Sequence, residues 1–477
     1  MSRRFLVPLA AIALTPVCMM AQTPDNRAPA QTQNPVPQQA DQPPAQAPPA
    51  APPSPPPAQP FVPEGMPEPG SGTPLTLPQA EAIALKNNPQ ISLGKLQYLV
   101  SRQNVRETRA ALLPSAFLSV TGVAALPNSR ITAGALNNPT VYDRAAAGVS
   151  VNQLITDFGR TTNLVSSAEF EAKAQDKWAR ANTGDIILTV DQTFFNALET
   201  KALITVAQET VRTRQTFVDQ IQALTNAKLK SDLDLSFANV DLARGKLLLL
   251  EAVNNYDEAL NALSAILGYQ QEQNYDPVEE LHEPTPPPPD VNALVLQAMQ
   301  QRPEIQALQD QVFGAEKFSN AEHDLKKPTI SALGVAGLAP VRADQITSHY
   351  GAVGVNINIP IFNGFYFDAR AKTAEIQTNQ NRQRLTDERN NIARDVRNVW
   401  QDSRRAFQRL AVTQQLRQQA NLSLNLAQAR YHLGLGSIVE LTQAELQKTQ
   451  ADIEDTDARY QYRLTEIVLA FTIYAPK

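Results

Sequence analysis

Histidines, one cysteine and scattered carboxylates are the residue types here whose chemistry is to hold a metal or move a proton, and their spacing supports neither task. His282, His323, His349 and His432 lie far apart, with no His-Glu-x-x-His pair to share a helix face. There is no Gly-x-Ser-x-Gly elbow and no glycine loop of the kind that cradles phosphate. Asp232-x-Asp234 begins like a calcium loop, but the ligands that should follow are missing. Cys18 is the only cysteine, which excludes a disulfide within the chain and a cysteine-held zinc. The net charge is −5, and no basic stripe is interleaved with aromatics, so nucleic acid has no electrostatic footing. The sequence therefore predicts no catalytic residue, cofactor or metal, and an enzyme is disfavoured.

The informative pattern is structural. From Gly351 to Phe367, Val353, Val355, Ile357 and Ile359 alternate with Gly354, Asn356 and Asn358. A period of two predicts a strand with one apolar and one polar face. Pro360 ends the ladder because it has no N–H to give. After Gly364 comes a long, polar, helix-favouring run. The same strand-to-helix corner occurs earlier, from Ala147 to Gly159, with Gly148-Val149 standing 206 residues before Gly354-Val355. Two copies of so unusual a corner predict an internal duplication.

The rest of the chain fits that plan. Residues 1–21 read as a secretory signal peptide, with Ser2-Arg3-Arg4 before the apolar Phe5 to Val17 and cleavage expected at Ala21. For Cys18 to be lipidated, a small residue is expected where Val17 stands. Residues 22–74 hold about half of the 36 prolines and cannot build a core. They read as a disordered spacer, or as a tether to peptidoglycan or a partner. Residues 75–268 form the first repeat. Thr76 is its helix N-cap, Asn88-Pro89 a break and Pro114 a stop. Strands follow at about Ser115 to Leu126 and Ala145 to Ile155, around a loop from Pro127 to Asp143. Helices are expected from Gly159 to about Asn226 and from Asp232 to Leu267. Residues 269–290 form a proline-rich linker. Residues 291–477 repeat the plan, with Arg302-Pro303 on Asn88-Pro89 and Pro328 on Pro114. The last helices match at the 206 offset, Asp234 on Glu440 and Tyr256 on Tyr462. The predicted fold class is mainly α with a small membrane β-barrel portion. The unit is helix-strand-strand-helix-helix, twice.

No run of about 18 apolar residues follows Ala21, so no transmembrane helix is expected. Four strands cannot close a barrel alone, and an open edge is not tolerated in lipid. Three subunits would supply twelve strands, a size found among outer-membrane barrels. Phe362, Phe365, Tyr366 and Phe367 cluster at the strand end, as an aromatic girdle or as ordinary core at the corner. The helices are too long for one globule and would pack as a coiled-coil cylinder, continuing the barrel as a conduit. The competing reading is a periplasmic coiled-coil scaffold or adaptor without membrane strands.

Several motifs carry a resemblance over about Leu75 to Ala475. They are Leu75-Thr-Leu with Asn87-Asn-Pro89, Arg302-Pro-Glu-Ile305, Leu112-Leu-Pro114, Asp157-Phe-Gly-Arg160, Ile359-Pro-Ile-Phe-Asn-Gly364, and Ala429-Arg-Tyr-His-Leu-Gly434 with Ile438-Val-Glu-Leu441. Together they resemble the TolC-like outer-membrane efflux family. The resemblance implies a homotrimer with a twelve-stranded barrel in outer-membrane lipid and an α-helical tunnel in the periplasm. It also implies partners, namely a periplasmic membrane-fusion adaptor and an inner-membrane transporter of RND, ABC or MFS type, serving efflux or type I secretion. At the periplasmic constriction, Tyr431 matches the family's tyrosine. Glu440 matches an acidic position of the inner ring, and Asp234 is its first-repeat counterpart. Gln443 stands where a second aspartate is usual and Gly436 where an arginine is, which implies a less charged ring and a weaker latch. In a trimer, Asp234 and Glu440 would each become a ring of three like charges that favours cations.

Overall fold

The computed structural model describes residues 72–124, 126, 144–279, 283–340 and 347–473. The expected signal peptide at 1–21, with Cys18, lies outside the described residues, as do most of the 22–74 linker and the 127–143 loop.

Order begins slightly earlier than the sequence suggests. Strand β1 (Thr73–Leu75) pairs in parallel with β4 (Tyr275–Pro277), so the end of the first expected linker and a stretch inside the second are structured. The cause is apolar burial: Leu75 sits in a core with Ala80, Ala84, Phe194 and Leu263. Helix α1 (Leu77–Asn87) starts where Gln79 Oε1 accepts the Thr76 N–H at 3.0 Å. Asn88 ends it and caps α2 (Pro89–Ala110), its side chain accepting the Gln90 N–H at 2.9 Å. Pro89 takes the first helical position, where its missing N–H costs nothing.

Strands β2 (Ser115–Val123) and β3 (Arg144–Thr156) follow, then α3 (Arg160–Asn226) and α4 (Asp232–Ile266). The second copy is α5 (Val291–Gln301), α6 (Pro303–His323), a 3₁₀ turn at Asp324–Lys326, β5 (Thr329–Leu338), β6 (His349–Asn358), α7 (Tyr366–His432) and α8 (Ile438–Ile473). Helices α3 and α7 have 67 residues each, which makes each about 100 Å long. Buried alanines on α3, α7 and α8, including Ala197, Ala207, Ala374, Ala427, Ala444 and Ala451, let helix axes approach closely. The proline-rich linker is strapped to the second hairpin. Trp400 Nε1 donates to the Pro288 carbonyl at 2.7 Å, and the Tyr462 hydroxyl donates to the Thr285 carbonyl.

The four longer strands form one antiparallel sheet in the order β2-β3-β5-β6. Register sorts its faces. Leu118 stands opposite Val149, Val149 opposite Ala336, Gly334 opposite Val353 and Ala332 opposite Val355, so one face is apolar across its middle, with Gln153 and His349 towards its ends. The other face carries Ser119, Ser150, Asn152, Ser331 and Asn356. Val353 is 93 % exposed and Val355 64 %, a row that suits lipid and not water.

At each corner the chain turns through two consecutive left-handed residues, Phe158-Gly159 (φ 56° and 109°) and Gly364-Phe365 (φ 64° for both). Each phenylalanine there carries roughly 1–2 kcal/mol of backbone strain. Polar contacts hold the corners in place. Asp157, buried, accepts the Thr161 N–H at 2.7 Å, and Lys327 Nζ donates to the Phe158 carbonyl at 3.0 Å. Arg370 grips the buried Glu322 with a two-pronged pair at 2.5 and 2.8 Å.

The face assignment predicts an asymmetry between neighbours in one strand. Val355→Arg should destabilise the lipid-inserted sheet by about 2–4 kcal/mol, and Asn356→Arg by much less. Urea unfolding from lipid vesicles measures both, and equal losses would refute the assignment.

Candidate functional site at the helical tips

The end of the chain farthest from the sheet is made by two turns, one between α3 and α4 and one between α7 and α8. They are equivalent in the duplication: Lys228 (φ 61°) occupies the left-handed position that Gly434 (φ 74°) takes in the second copy. Beneath them lies one apolar core shared by both hairpins, including Phe217, Ile221, Leu242, Leu424, Tyr431, Ile438 and Leu441.

The four tip residues named from the sequence fall into two places. Asp234 closes a reciprocal cap at the start of α4: its N–H donates to Ser231 Oγ at 3.2 Å, and its Oδ2 accepts the Ser231 N–H at 3.4 Å. Close by is Tyr431, whose ring packs edge-on to Phe217 at 5.8 Å with Lys230 Nζ 3.8 Å above it. Tyr431 is only 3 % exposed, so in this conformation it joins the two hairpins rather than lining an open surface. Its ring finds an apolar slot between α3 and α8. Its hydroxyl is buried without a hydrogen-bond partner. Burial, and then the negative charge of Asp234, push the phenol up to about 12.

Glu440 and Gln443 lie elsewhere, together in a groove between α7 and α8 with Leu426, Arg430 and Gln447. Both are exposed. The Glu440 N–H donates to Ser437 Oγ at 3.1 Å, and its carboxylate pairs with Arg430 Nε at 3.1 Å. Arg430 also donates to the Leu435 carbonyl at 3.3 Å. The sequence reading missed this Arg430–Glu440 contact.

At the other end, Phe362, Phe365 and Tyr366 are 76, 71 and 56 % exposed, and Phe367 is half-buried. Phe362 and Phe365 meet edge to face at 5.7 Å. Such exposure does not fit ordinary core packing at the corner. Among the described residues, no group of three or more His, Cys, Asp or Glu side chains is arranged to hold a metal. No described helix is long and apolar enough to cross a membrane.

The sequence profile of the family described as outer membrane efflux protein matches residues 82–269 and 294–473, one match in each half of the duplication. Among individual proteins, the chain is 23 % identical over 413 residues to the outer membrane protein TolC of Escherichia coli K12, covering 82 % of each. It is 24 % identical over 401 residues to the cation efflux system protein CusC of Escherichia coli O157:H7, covering 81 % of this chain and 83 % of that one. Its fold is similar to the crystal structure of the outer membrane protein VceC from Vibrio cholerae. There the TM-score is 0.71 at 17 % identity, over 84 % of this chain and 96 % of that one.

The buried, unpartnered hydroxyl yields a two-part expectation. Tyr431→Phe should leave thermal stability unchanged or raise it by up to about 1 kcal/mol, because a desolvated hydroxyl is lost. Tyr431→Ala should cost roughly 3–5 kcal/mol through the cavity it leaves. Thermal unfolding of the two variants in parallel measures the contrast.

Proposed function

Since the chain belongs to the outer membrane efflux protein family, we propose that three copies assemble into a continuous duct from periplasm to exterior, the β2-β3-β5-β6 sheets closing a twelve-stranded barrel. The chain is an outer-membrane protein with its helical tunnel in the periplasm. The observation that supports the trimer is the open sheet itself. Among the described residues the outer edges of β2 and β6 have no strand beside them, although one face is a row of exposed valines and isoleucines. In hydrocarbon those edge amides need partners, and neighbouring copies supply them. Phe362, Phe365 and Tyr366 then lie where a girdle of aromatics meets the headgroups. A soluble scaffold would leave the same apolar row in water, which argues against that alternative.

The same reading makes 1–21 an export signal, 22–74 a spacer, and 75–268 and 291–477 two copies joined through 269–290. The tips expose Leu229, Leu233, Leu433, Leu435 and Val439. This apolar rim suits docking by a periplasmic adaptor, which would in turn engage an inner-membrane pump. Asp234 and Glu440, each tripled by the symmetry, place carboxylates around the entrance and favour cations.

Reconstitution into planar bilayers tests both levels. Discrete channels from a trimer are expected, with cation preference that falls in the Asp234→Ala, Glu440→Ala double variant. A monomer that forms no channels would refute the duct. Channels with unchanged reversal potential would refute only the charged rings.

A further inference from the structure

Below the tips, α3, α4 and α8 converge on three buried charges, Arg214, Asp241 and Glu445, which are 5, 5 and 4 % exposed. Arg214 is committed to Asp241. Its Nε lies 2.9 Å from Asp241 Oδ2, and its Nη1 donates to the Asp241 carbonyl at 2.8 Å. Its Nη2 reaches Thr449 Oγ1 at 3.5 Å. Gly245, one turn beyond Asp241, leaves the slot in which the arginine lies: a Cβ there would stand 3.3 Å from Arg214 Cδ.

Glu445 enters from α8, and no protein donor serves either of its oxygens. It lies one turn from Thr449, which Arg214 reaches, and faces the buried Arg214–Asp241 pair. Two carboxyl groups buried side by side with one cation between them are accommodated when one of them carries a proton. Burial first, then the contact with Asp241, push Glu445 up to about 8, with Arg214 pulling partly back. The charged groups that face it are Asp241 on α4 and Arg214 on α3. Helix α7 packs nearby through the apolar Leu424 and Ala427. A second acid pair lies farther along the same seam. Burial, and then the charge of Asp457 on α8, push Glu199 of α3 up to about 7, and Arg409 of α7 holds Asp457 at 2.7 Å.

We propose that Arg214, Asp241 and Glu445 form a proton-dependent clasp: with its proton, Glu445 holds the α7/α8 hairpin against α3/α4, and without it the hairpins part. When the Glu445 O–H bond breaks, the proton passes to water and a second buried carboxylate faces Asp241 with no cation of its own. The sign follows from linkage. The closed state binds Glu445's proton more tightly than a parted state in which the group is solvated near its ordinary 4.5. The clasp's contribution is therefore complete below about 4.5, declines as pH rises, and is lost through about 8. The consequence for flow rests on the duct reading above; the clasp itself does not.

Amide hydrogen exchange of the full chain in detergent, over 238–246 and 441–449 and corrected for intrinsic rate, tests it. Between pH 6 and 8.5 the wild type should lose protection by more than about ten-fold, since one proton shifts the equilibrium up to tenfold per pH unit. Glu445→Gln, which donates an amide hydrogen to Asp241 at any pH, should change less than about two-fold over the same range. Should that variant fail to fold, Asp241→Asn serves instead. Its amide can donate to ionised Glu445, so the loss of protection should move to below pH 6. Unchanged wild-type protection, a Gln variant that falls like the wild type, or an Asn variant that still loses protection near pH 8 would each overturn the clasp. Bilayer conductance recorded in parallel keeps the two readings apart. Protection that falls while conductance stays constant would support the clasp and count against the tips as the duct's gate.

Discussion

A backbone N–H or C=O that faces hydrocarbon without a partner costs several kcal/mol, and this chain carries two rows of them along the edges of one sheet. Much of the architecture answers to that constraint. The strands are about ten residues long, the reach of a tilted strand through a bilayer. Their outward side is mostly apolar, and their inward side mixes serines, asparagines and glycines with Phe117, Leu333 and Val335. The helices have the opposite task. They satisfy their backbone internally and present polar surfaces, so they extend away from the lipid rather than through it.

The strand-to-helix corner joins these regimes in very few residues. Two left-handed residues at each corner reverse the chain's course, and an unusual density of charge surrounds them, with Lys326 on Asp368, Lys327 on Asp324 and Arg370 on Glu322. Several of these contacts link the α6–β5 connection to the corners of both repeats. The two halves are therefore stitched together at the base of the sheet as well as within it.

Much of the fold was legible because its signals are periodic or local. Alternation at Val353, Val355 and Ile357 gave the strand and its faces, and Pro89, Pro303 and Gly268 marked breaks and stops by removing a donor or allowing a positive φ. Constant offsets within each part, 303 − 89 = 328 − 114 = 214 for the prolines and 354 − 148 = 440 − 234 = 206 for the corners and last helices, tied the elements together. The tip was only partly legible. Asp234 was reached as the first-repeat counterpart of Glu440, whereas its reciprocal cap with Ser231 emerged only from the structure. Tyr431 was located by resemblance, but its burial depends on Phe217, which lies on another helix far away in sequence. The Arg214–Asp241–Glu445 cluster was invisible for two reasons. Its members come from three helices, and the duplication gives no hint of them, since Asp241 falls on Gln447 and Glu445 on Asn239. Charges brought together by tertiary packing leave no periodic trace.

The matched length of α3 and α7 constrains how this chain can change over time. One residue inserted into either helix would advance everything beyond it by about 1.5 Å and rotate it by about 100°. Asp234 or Glu440 would swing off its side of the hairpin, and Tyr431 would lose Phe217. A compensating change in the other helix would restore the level of the tips but not the rotation. Length should therefore drift only in steps that nearly complete whole turns, and in both copies together. A duplicated gene whose halves began identical would in this way keep its halves the same size long after their sequences had diverged.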